Sequence, residues 1–374
     1  MAIDTKIHVP EWIRSLAPYP PGKPIEELER EYGIFGSIKL ASNENPLGPS
    51  PKAVAAVTQA LGNLHRYPDG DCFYLKGALA KKLGISPAAL IFGNGSNEII
   101  ELAVRTFMQH GDEAVMADQA FVIYRLVVQA AGCVSHLVPL RHFTHDLEAI
   151  LDAITPATRL VFLANPNNPT GTIFFRRNWE EFLAAIPPHV IVVMDEAYFE
   201  FVADPDYPDS LDAQGGGRLL ITLRTFSKIY GLAGLRLGFG VAHPELIEVM
   251  NRVRQPFNVS SLAQVAALAA LEDDEHVART RQCNREGMAY LREQCKRLGL
   301  EYAPSWANFL MVRVGNGARV YEALLRHGVI VRPMSVYGFP EHVRVTVGTA
   351  EENARFVSSL EQVLRDGGAR AAAF

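Results

Sequence analysis

Lys228 stands in the run Thr225-Phe226-Ser227-Lys228-Ile229-Tyr230-Gly231-Leu232-Ala233-Gly234-Leu235-Arg236, just past an apolar, strand-like stretch from Leu219 to Leu223. The small and hydroxyl residues around it suit an amine that must attack a carbonyl carbon. Burial disfavours the ammonium form, and a nearby cation such as Arg236 disfavours it further. A free amine able to form a Schiff base then becomes accessible near neutral pH. Taken alone, a lysine after a strand is more often a surface residue in a turn. Three other segments change that balance.

In Asn165-Pro166-Asn167-Asn168-Pro169-Thr170-Gly171, two prolines and a glycine bound a set of amides after the apolar run Leu160 to Ala164. Such a turn is rigid and can hold an Asn side chain in one direction, although a plain turn with internally bonded amides has the same composition. In Val190-Ile191-Val192-Val193-Met194-Asp195-Glu196-Ala197-Tyr198, a continuously apolar strand ends in two acids. Buried strands of parallel sheets have this pattern, and ligands bind at their carboxyl ends. Asp195 is poorly placed there to be freely solvated. In Phe92-Gly93-Asn94-Gly95-Ser96-Asn97-Glu98, glycines precede a helical pattern through Ile99, Ile100, Leu102, Ala103 and Phe107. The uncovered N–H groups and positive dipole end of that helix favour a phosphate, and an ordinary cap would also fit. A strand-end lysine, a buried acid, fixed amides and a phosphate cradle together describe a site for a phosphorylated aldehyde whose ring nitrogen wants an acid beside it. Pyridoxal 5′-phosphate meets all four requirements.

On these segments the chain resembles the fold type I pyridoxal-phosphate-dependent aminotransferases, and among them the histidinol-phosphate aminotransferase family. The likeness runs from Leu16-Ala17-Pro18-Tyr19 through Ser42-Asn43-Glu44-Asn45-Pro46 and Arg66-Tyr67-Pro68-Asp69-Gly70 to Arg344-Val345-Thr346-Val347-Gly348-Thr349. The resemblance implies that Lys228 bonds the cofactor aldehyde and then shuttles the substrate proton, while Asp195 keeps the pyridine nitrogen protonated. It implies that Asn168 and Tyr198 hydrogen-bond the 3′-oxygen. Gly95, Ser96 and Asn97 match the phosphate-binding helix start, and Thr225, Ser227 and Arg236 match further phosphate ligands. Phe121 matches the aromatic residue that stacks on the ring, where many relatives carry tyrosine. Tyr67 matches a residue that reaches the partner subunit's cofactor phosphate, which implies a homodimer with shared active sites.

For the substrate, Arg344 matches the arginine that grips the anionic group, a carboxylate or a phosphate in turn. Arg332 matches a second arginine used with a phosphate substrate, Tyr19 an N-terminal tyrosine closing over it, and Asn43 a further lining residue. The implied reaction exchanges an amino group between histidinol phosphate and 2-oxoglutarate. An aromatic amino-acid aminotransferase shares every catalytic residue, and a threonine-phosphate decarboxylase-like lyase also resembles this family. A ligand-sensing module of a regulator is the weakest competitor, because the chain keeps the lysine.

The 374 residues suffice for two domains and a sizeable core, with 48% hydrophobic and 21% charged residues. The formal charge of −5 comes without a long basic block, which argues against nucleic acid as a partner. Cys72, Cys133, Cys283 and Cys295 are scattered, as expected of free thiols in a reducing cytosol. His142 and His145 lie near an acid without metal-ligand spacing, so no metal is expected. Met1 to Leu16 carries Asp4, Lys6, Pro10, Glu11 and Arg14 and has no signal-peptide core, and no apolar run is long enough to span a membrane. A cytoplasmic location is expected.

Strand-like and helix-periodic runs alternate from about Pro51 to Arg254, as in an α/β domain with a mostly parallel sheet. Long helices follow at Leu262 to Leu271 and His276 to Leu298. Strands near Phe309 to Val314 and Val343 to Val347 then flank a helix from Ala318 to His327, a smaller α+β unit. The expected fold class is aspartate-aminotransferase-like fold type I. Residues 41–258 form its large cofactor domain, and residues 1–40 with 259–374 form a discontinuous small domain. Pro18, Pro20, Pro21, Gly22 and Pro24 make a stiff connector, and Gly367 to Phe374 reads as a frayed end.

Overall fold

The computed structural model describes residues 7–19 and 22–371, so Pro20 and Pro21 of the connector and Ala372 to Phe374 lie outside the described residues. In chain order its strands are β1 (Ile38–Lys39), β2 (Leu90–Asn94), β3 (Glu113–Ala117), β4 (Val134–Val138), β5 (Thr158–Ala164) and β6 (Ile191–Asp195), then β7 (Leu220–Thr225), β8 (Leu237–Ala242), β9 (Phe309–Arg313), β10 (Val329–Ile330), β11 (Arg332–Pro333) and β12 (His342–Thr346). Strands β2 to β8 make one sheet in the order β2-β8-β7-β6-β5-β3-β4, parallel except where β8 pairs with β2 and β7.

The central strands read as continuous apolar runs because both faces of the sheet are covered. Leu160 and Phe162 of β5 pack with Ile100, Tyr124, Val128 and Met250, from the helices Ser96–Phe107, Ile123–Ala130 and Pro244–Val253. Val161 and Leu163 face the other way, onto Ile150, Trp179 and Phe182 of the helices Leu147–Asp152 and Arg176–Ala185. Each such buried side chain contributes roughly 1.5–3 kcal/mol. Together they fix the strand ends that carry the chemistry. The helix Pro51–Ala60 begins as its sequence requires: Ser50 accepts from the N–H groups of Lys52 and Ala53, with proline at the first helical position.

A second layer holds β11-β12-β9, all antiparallel, and the parallel pair β1-β10. Its core joins Met288 and Leu291 of the helix Asp274–Arg297 to Leu310, Val312, Leu324, Val343, Val345 and Phe356. The helix Ile25–Tyr32 buries Leu28 against Leu325 and Ile330 on this side. The short helix Glu11–Arg14 instead lies on the large sheet's side, with Trp12 against His110 at 4.8 Å and Gln129 Nε2 donating to the Trp12 carbonyl at 3.1 Å. The segment before Leu40 thus touches both layers. The last helix, Ala350–Ala371, continues through Gly367 and Gly368, where the sequence reads as a frayed end.

One glycine ties the fold to the site. A Cβ on Gly238 of β8 would stand 2.3 Å from the backbone nitrogen of Ser96, at the start of the helix that follows β2. Gly238→Ala should therefore push that helix start away and cost about 1–3 kcal/mol. A lower denaturation midpoint at unchanged slope is the expected result, and an unchanged midpoint would show the contact to be loose.

Candidate active site

The carboxyl ends of β2, β5, β6 and β7 and the loop after β3 open into one cavity of about 420 Å³. Gly95, Ser96, Asn97, Phe121, Asn168, Asp195, Tyr198, Thr225, Ser227, Lys228 and Arg236 all line it, joined by Tyr19, Asn43, Arg332 and Arg344. Tyr67 does not. It is 84% exposed, and its ring stacks on Phe257 at 4.9 Å.

At one end Gly95 caps the helix Ser96–Phe107 with φ of 77°, and a Cβ there would meet Arg236 Nη2 at 2.5 Å. Only glycine lets the guanidinium lie over the uncovered helix N–H groups. Ser227 N–H donates to Thr225 Oγ1 at 3.1 Å, which turns the chain after β7 back toward this helix start. The result is a concave set of donors suited to a dianion.

Asp195 ends β6 and is 6% exposed. Its Oδ2 accepts from the Tyr124 hydroxyl at 2.7 Å and its Oδ1 from Ala197 N–H at 3.1 Å. Burial pushes its carboxyl above the usual range, against the pull of these hydrogen bonds. Of the amides after β5, Asn165 bonds the backbone of Phe174, and Asn167 bonds Thr170 and the Gln119 carbonyl. Asn168 alone of the three lines the cavity, where its Oδ1 accepts from Arg344 Nη1. Tyr198 Oη accepts from Asn43 Nδ2 at 2.8 Å, and burial holds its hydroxyl up to about 12.

The Lys228 amine donates to the Ser42 carbonyl at 3.2 Å and stands 5.7 Å from the Tyr198 ring centre. Its pKa falls to about 8, first through burial and then through Arg344, with Glu44 opposing and Arg236 adding a smaller push. The sequence pointed to Arg236, but Arg344 is the stronger cation. Arg344 and Arg332 are register partners across β12 and β11, so both belong to one face of one strand pair. Arg344 Nη2 donates to the Ala41 carbonyl at 2.8 Å, its guanidinium lies 5.1 Å from the Phe309 ring centre, and its buried Nε has no partner among the described residues. Arg332 sits 5.4 Å from the Tyr19 ring centre.

Tyr124, Tyr337, Ser42 and Glu44, which no motif singles out, also line the cavity. Tyr124 sits three residues after Phe121, in the same motif. Ser42 and Glu44 flank Asn43. Tyr337 had no local signal, because the turn Ser335–Tyr337 between β11 and β12 brings it in. Among the described residues no cluster of His, Cys, Asp or Glu could hold a metal, and no helix is long and apolar enough to cross a membrane.

The family profile described as aminotransferase class I and II matches residues 36–360. The chain belongs to the class I and II aminotransferases. Within this family it is 55% identical to histidinol-phosphate aminotransferase 1 of Nitrosococcus oceani, over 95% of this chain and 96% of the relative. The crystal structure of the Sinorhizobium meliloti histidinol-phosphate aminotransferase in complex with pyridoxal-5'-phosphate superposes with a TM-score of 0.90 at 28% identity, covering 98% of this chain and 100% of that one. An aspartate aminotransferase from Thermus thermophilus, at 24% identity, shares the fold with a TM-score of 0.82 over 96% and 99% of the two chains. The aminotransferase therefore has the aspartate-aminotransferase-like fold type I expected of its sequence.

The site residues fit the phosphorylated pyridine aldehyde. The Gly95 and Arg236 cradle suits its phosphate, buried Asp195 its ring nitrogen and Lys228 its aldehyde. In the cofactor-free aminotransferase, trapping of Lys228 by an aldehyde and a reductant should speed up with pH to a midpoint near 8, because the reactive free amine replaces the ammonium there. Arg344→Gln should move that midpoint upward by removing a cation. A wild-type midpoint near the ordinary 10.5 would mean a solvated lysine.

Proposed function

We propose that this aminotransferase exchanges an amino group between histidinol phosphate and 2-oxoglutarate, with imidazole-acetol phosphate and glutamate as the other pair, in histidine biosynthesis. The carrying observation is the pair Arg332 and Arg344 on one strand pair, lining the cavity that holds Lys228. Two guanidiniums can grip the phosphate of one substrate and the carboxylate of the other in turn. The name of the 55% identical relative supports the same choice.

Pyridoxal 5′-phosphate, when bound, supplies the electron sink for the charge left as the substrate's α-proton departs. Lys228 Nζ takes that proton and returns it. Asp195 holds a proton on the ring nitrogen. Asn168 and Tyr198 would hydrogen-bond the cofactor's 3′-oxygen, with Asn43 holding the Tyr198 hydroxyl. Phe121 would stack on its ring, without the hydroxyl that tyrosine would bring. Gly95, Ser96, Asn97, Thr225, Ser227 and Arg236 would receive its phosphate. Tyr19, beside Arg332, would cover the substrate. Residues 41–258 would carry the cofactor and the β11-β12 pair the substrate arginines, while Val259 to Leu271 pack with Ala53, Leu75 and Phe239 on the large domain's side of the expected boundary.

The working unit we propose is a cytoplasmic homodimer. Tyr67, Phe73 and Tyr74 are 84%, 69% and 76% exposed, with Leu64 and Phe257 also on the surface, an apolar group that a second copy would cover. Tyr67 would then reach the cofactor phosphate of the partner subunit. Mixing Tyr67→Ala with Lys228→Ala subunits should regain activity that neither has alone, because one hybrid site keeps both side chains. No regain would place Tyr67 in its own subunit's site or outside both.

The absorbance of the cofactor-loaded protein tests the reaction. Its long-wavelength band should fall on adding histidinol phosphate and recover with 2-oxoglutarate, and Arg332→Gln should raise the KM for histidinol phosphate about 10- to 100-fold. Indifference to histidinol phosphate with a response to phenylalanine would transfer the assignment to an aromatic amino-acid aminotransferase.

A further inference from the structure

Tyr124 is 1% exposed, yet its hydroxyl is committed to one acceptor, Asp195 Oδ2, at 2.7 Å. Its ring is held on two sides. It stacks on Phe162 of β5 at 5.1 Å with 9° between planes, and it meets the edge of Phe121 at 5.7 Å and 86°. A single side chain therefore joins the aromatic ring and the acid that flank the cofactor's place in the cavity. The sheet core fixes its position, because Phe162 is fully buried between β6 and β3.

Asp195 needs such a partner. In a buried setting its neutral form is favoured, and a neutral carboxyl cannot hold a proton on a neighbouring ring nitrogen. Lys228 is the cation that acts on it, while the phenols of Tyr198 and Tyr337 stand near Tyr124 without a permanent charge. Burial and Asp195 itself both keep the Tyr124 hydroxyl protonated, so it is a donor at every pH the protein meets. A permanent donor to Oδ2, with Ala197 N–H on Oδ1, leaves the carboxylate oriented by both oxygens and its remaining lone pairs free for the cavity.

We propose that Tyr124 is the positioning residue of Asp195: its hydroxyl keeps the carboxylate ionised and aimed, and its ring sets Phe121 at the matching height. This rests on the reading that the cavity takes pyridoxal 5′-phosphate. The residue acts through Asp195.

The test is Tyr124→Phe, which keeps the ring contacts and removes only the hydroxyl. With purified protein, two readouts besides turnover are the dissociation constant for pyridoxal 5′-phosphate and the pH midpoint of the bound cofactor's absorbance. Loss of one hydrogen bond to a charged group should weaken cofactor binding about tenfold. A less firmly held ring proton withdraws fewer electrons, so the Lys228 nitrogen becomes more basic and the midpoint moves up. In an Asp195→Asn background the same change should add nothing to either readout. Tyr124→Gln, which keeps a donor without the ring, should lie nearer wild type than Tyr124→Phe in midpoint, though less stable. A Tyr124→Phe midpoint and affinity equal to wild type would overturn the proposal, as would a full additional effect in the Asp195→Asn background or a Tyr124→Gln midpoint further from wild type than that of Tyr124→Phe. Wild-type protein that fails to bind pyridoxal 5′-phosphate would instead sink the cofactor reading itself.

Discussion

The cavity gathers more cations than acids. Lys228, Arg236, Arg332 and Arg344 line it against two acids, Glu44 and Asp195. Taking a charge out of water is costly, and that cost falls on Lys228 and Arg344, since Arg236 is exposed. The one cation able to lose its proton does so more easily, so the Lys228 amine becomes nucleophilic at a pH where an exposed lysine is not. Arg344 and Arg236, which cannot lose theirs, donate to neutral acceptors: the Asn168 amide oxygen and the carbonyls of Ala41 and Ala233. One end of the cavity suits a cofactor phosphate and the other a substrate phosphate or carboxylate. Burial first and Arg344 second thus activate the nucleophile, and the same arginine faces the arriving substrate.

Everything else in the fold serves to hold that excess in place. The central sheet delivers Gly95, Asp195 and Lys228 from strand ends, with Gly238 letting the helix that starts at Ser96 sit close. The second layer delivers the arginine pair through a strand register that alternation alone would not specify. Because the cavity lies where the two layers meet, neither layer is a complete site. Ser42, Asn43 and Glu44 bridge them: the Ser42 carbonyl receives the lysine, Asn43 bonds Tyr198 on one side and Thr346 on the other, and Glu44 pairs with Lys39.

The parts legible in the sequence were those written locally. Continuous apolar runs that end in Asp195 and just before Lys228 mark strand ends, glycines before Ser96 mark a helix start, and turn residues after Ala164 mark fixed amides. Resemblance supplied the arginines, since nothing local distinguishes Arg332 from a strand-edge residue. What stayed hidden depends on pairing across the chain. The greater influence of Arg344 than Arg236 on Lys228 follows from their separation in space. Tyr337 enters through a turn between two strands, and Tyr124 is recognisable only when β3 and β6 lie two strands apart in one sheet. Tyr67 shows the limit most plainly, because it is 84% exposed and lies outside the cavity.

The most direct measurement is to load the protein with pyridoxal 5′-phosphate, reduce it with borohydride and map the modified peptide by mass spectrometry. The account predicts one pyridoxyl group per chain, on Lys228. A pyridoxyl group on another lysine, or a chain that takes up none, would contradict it.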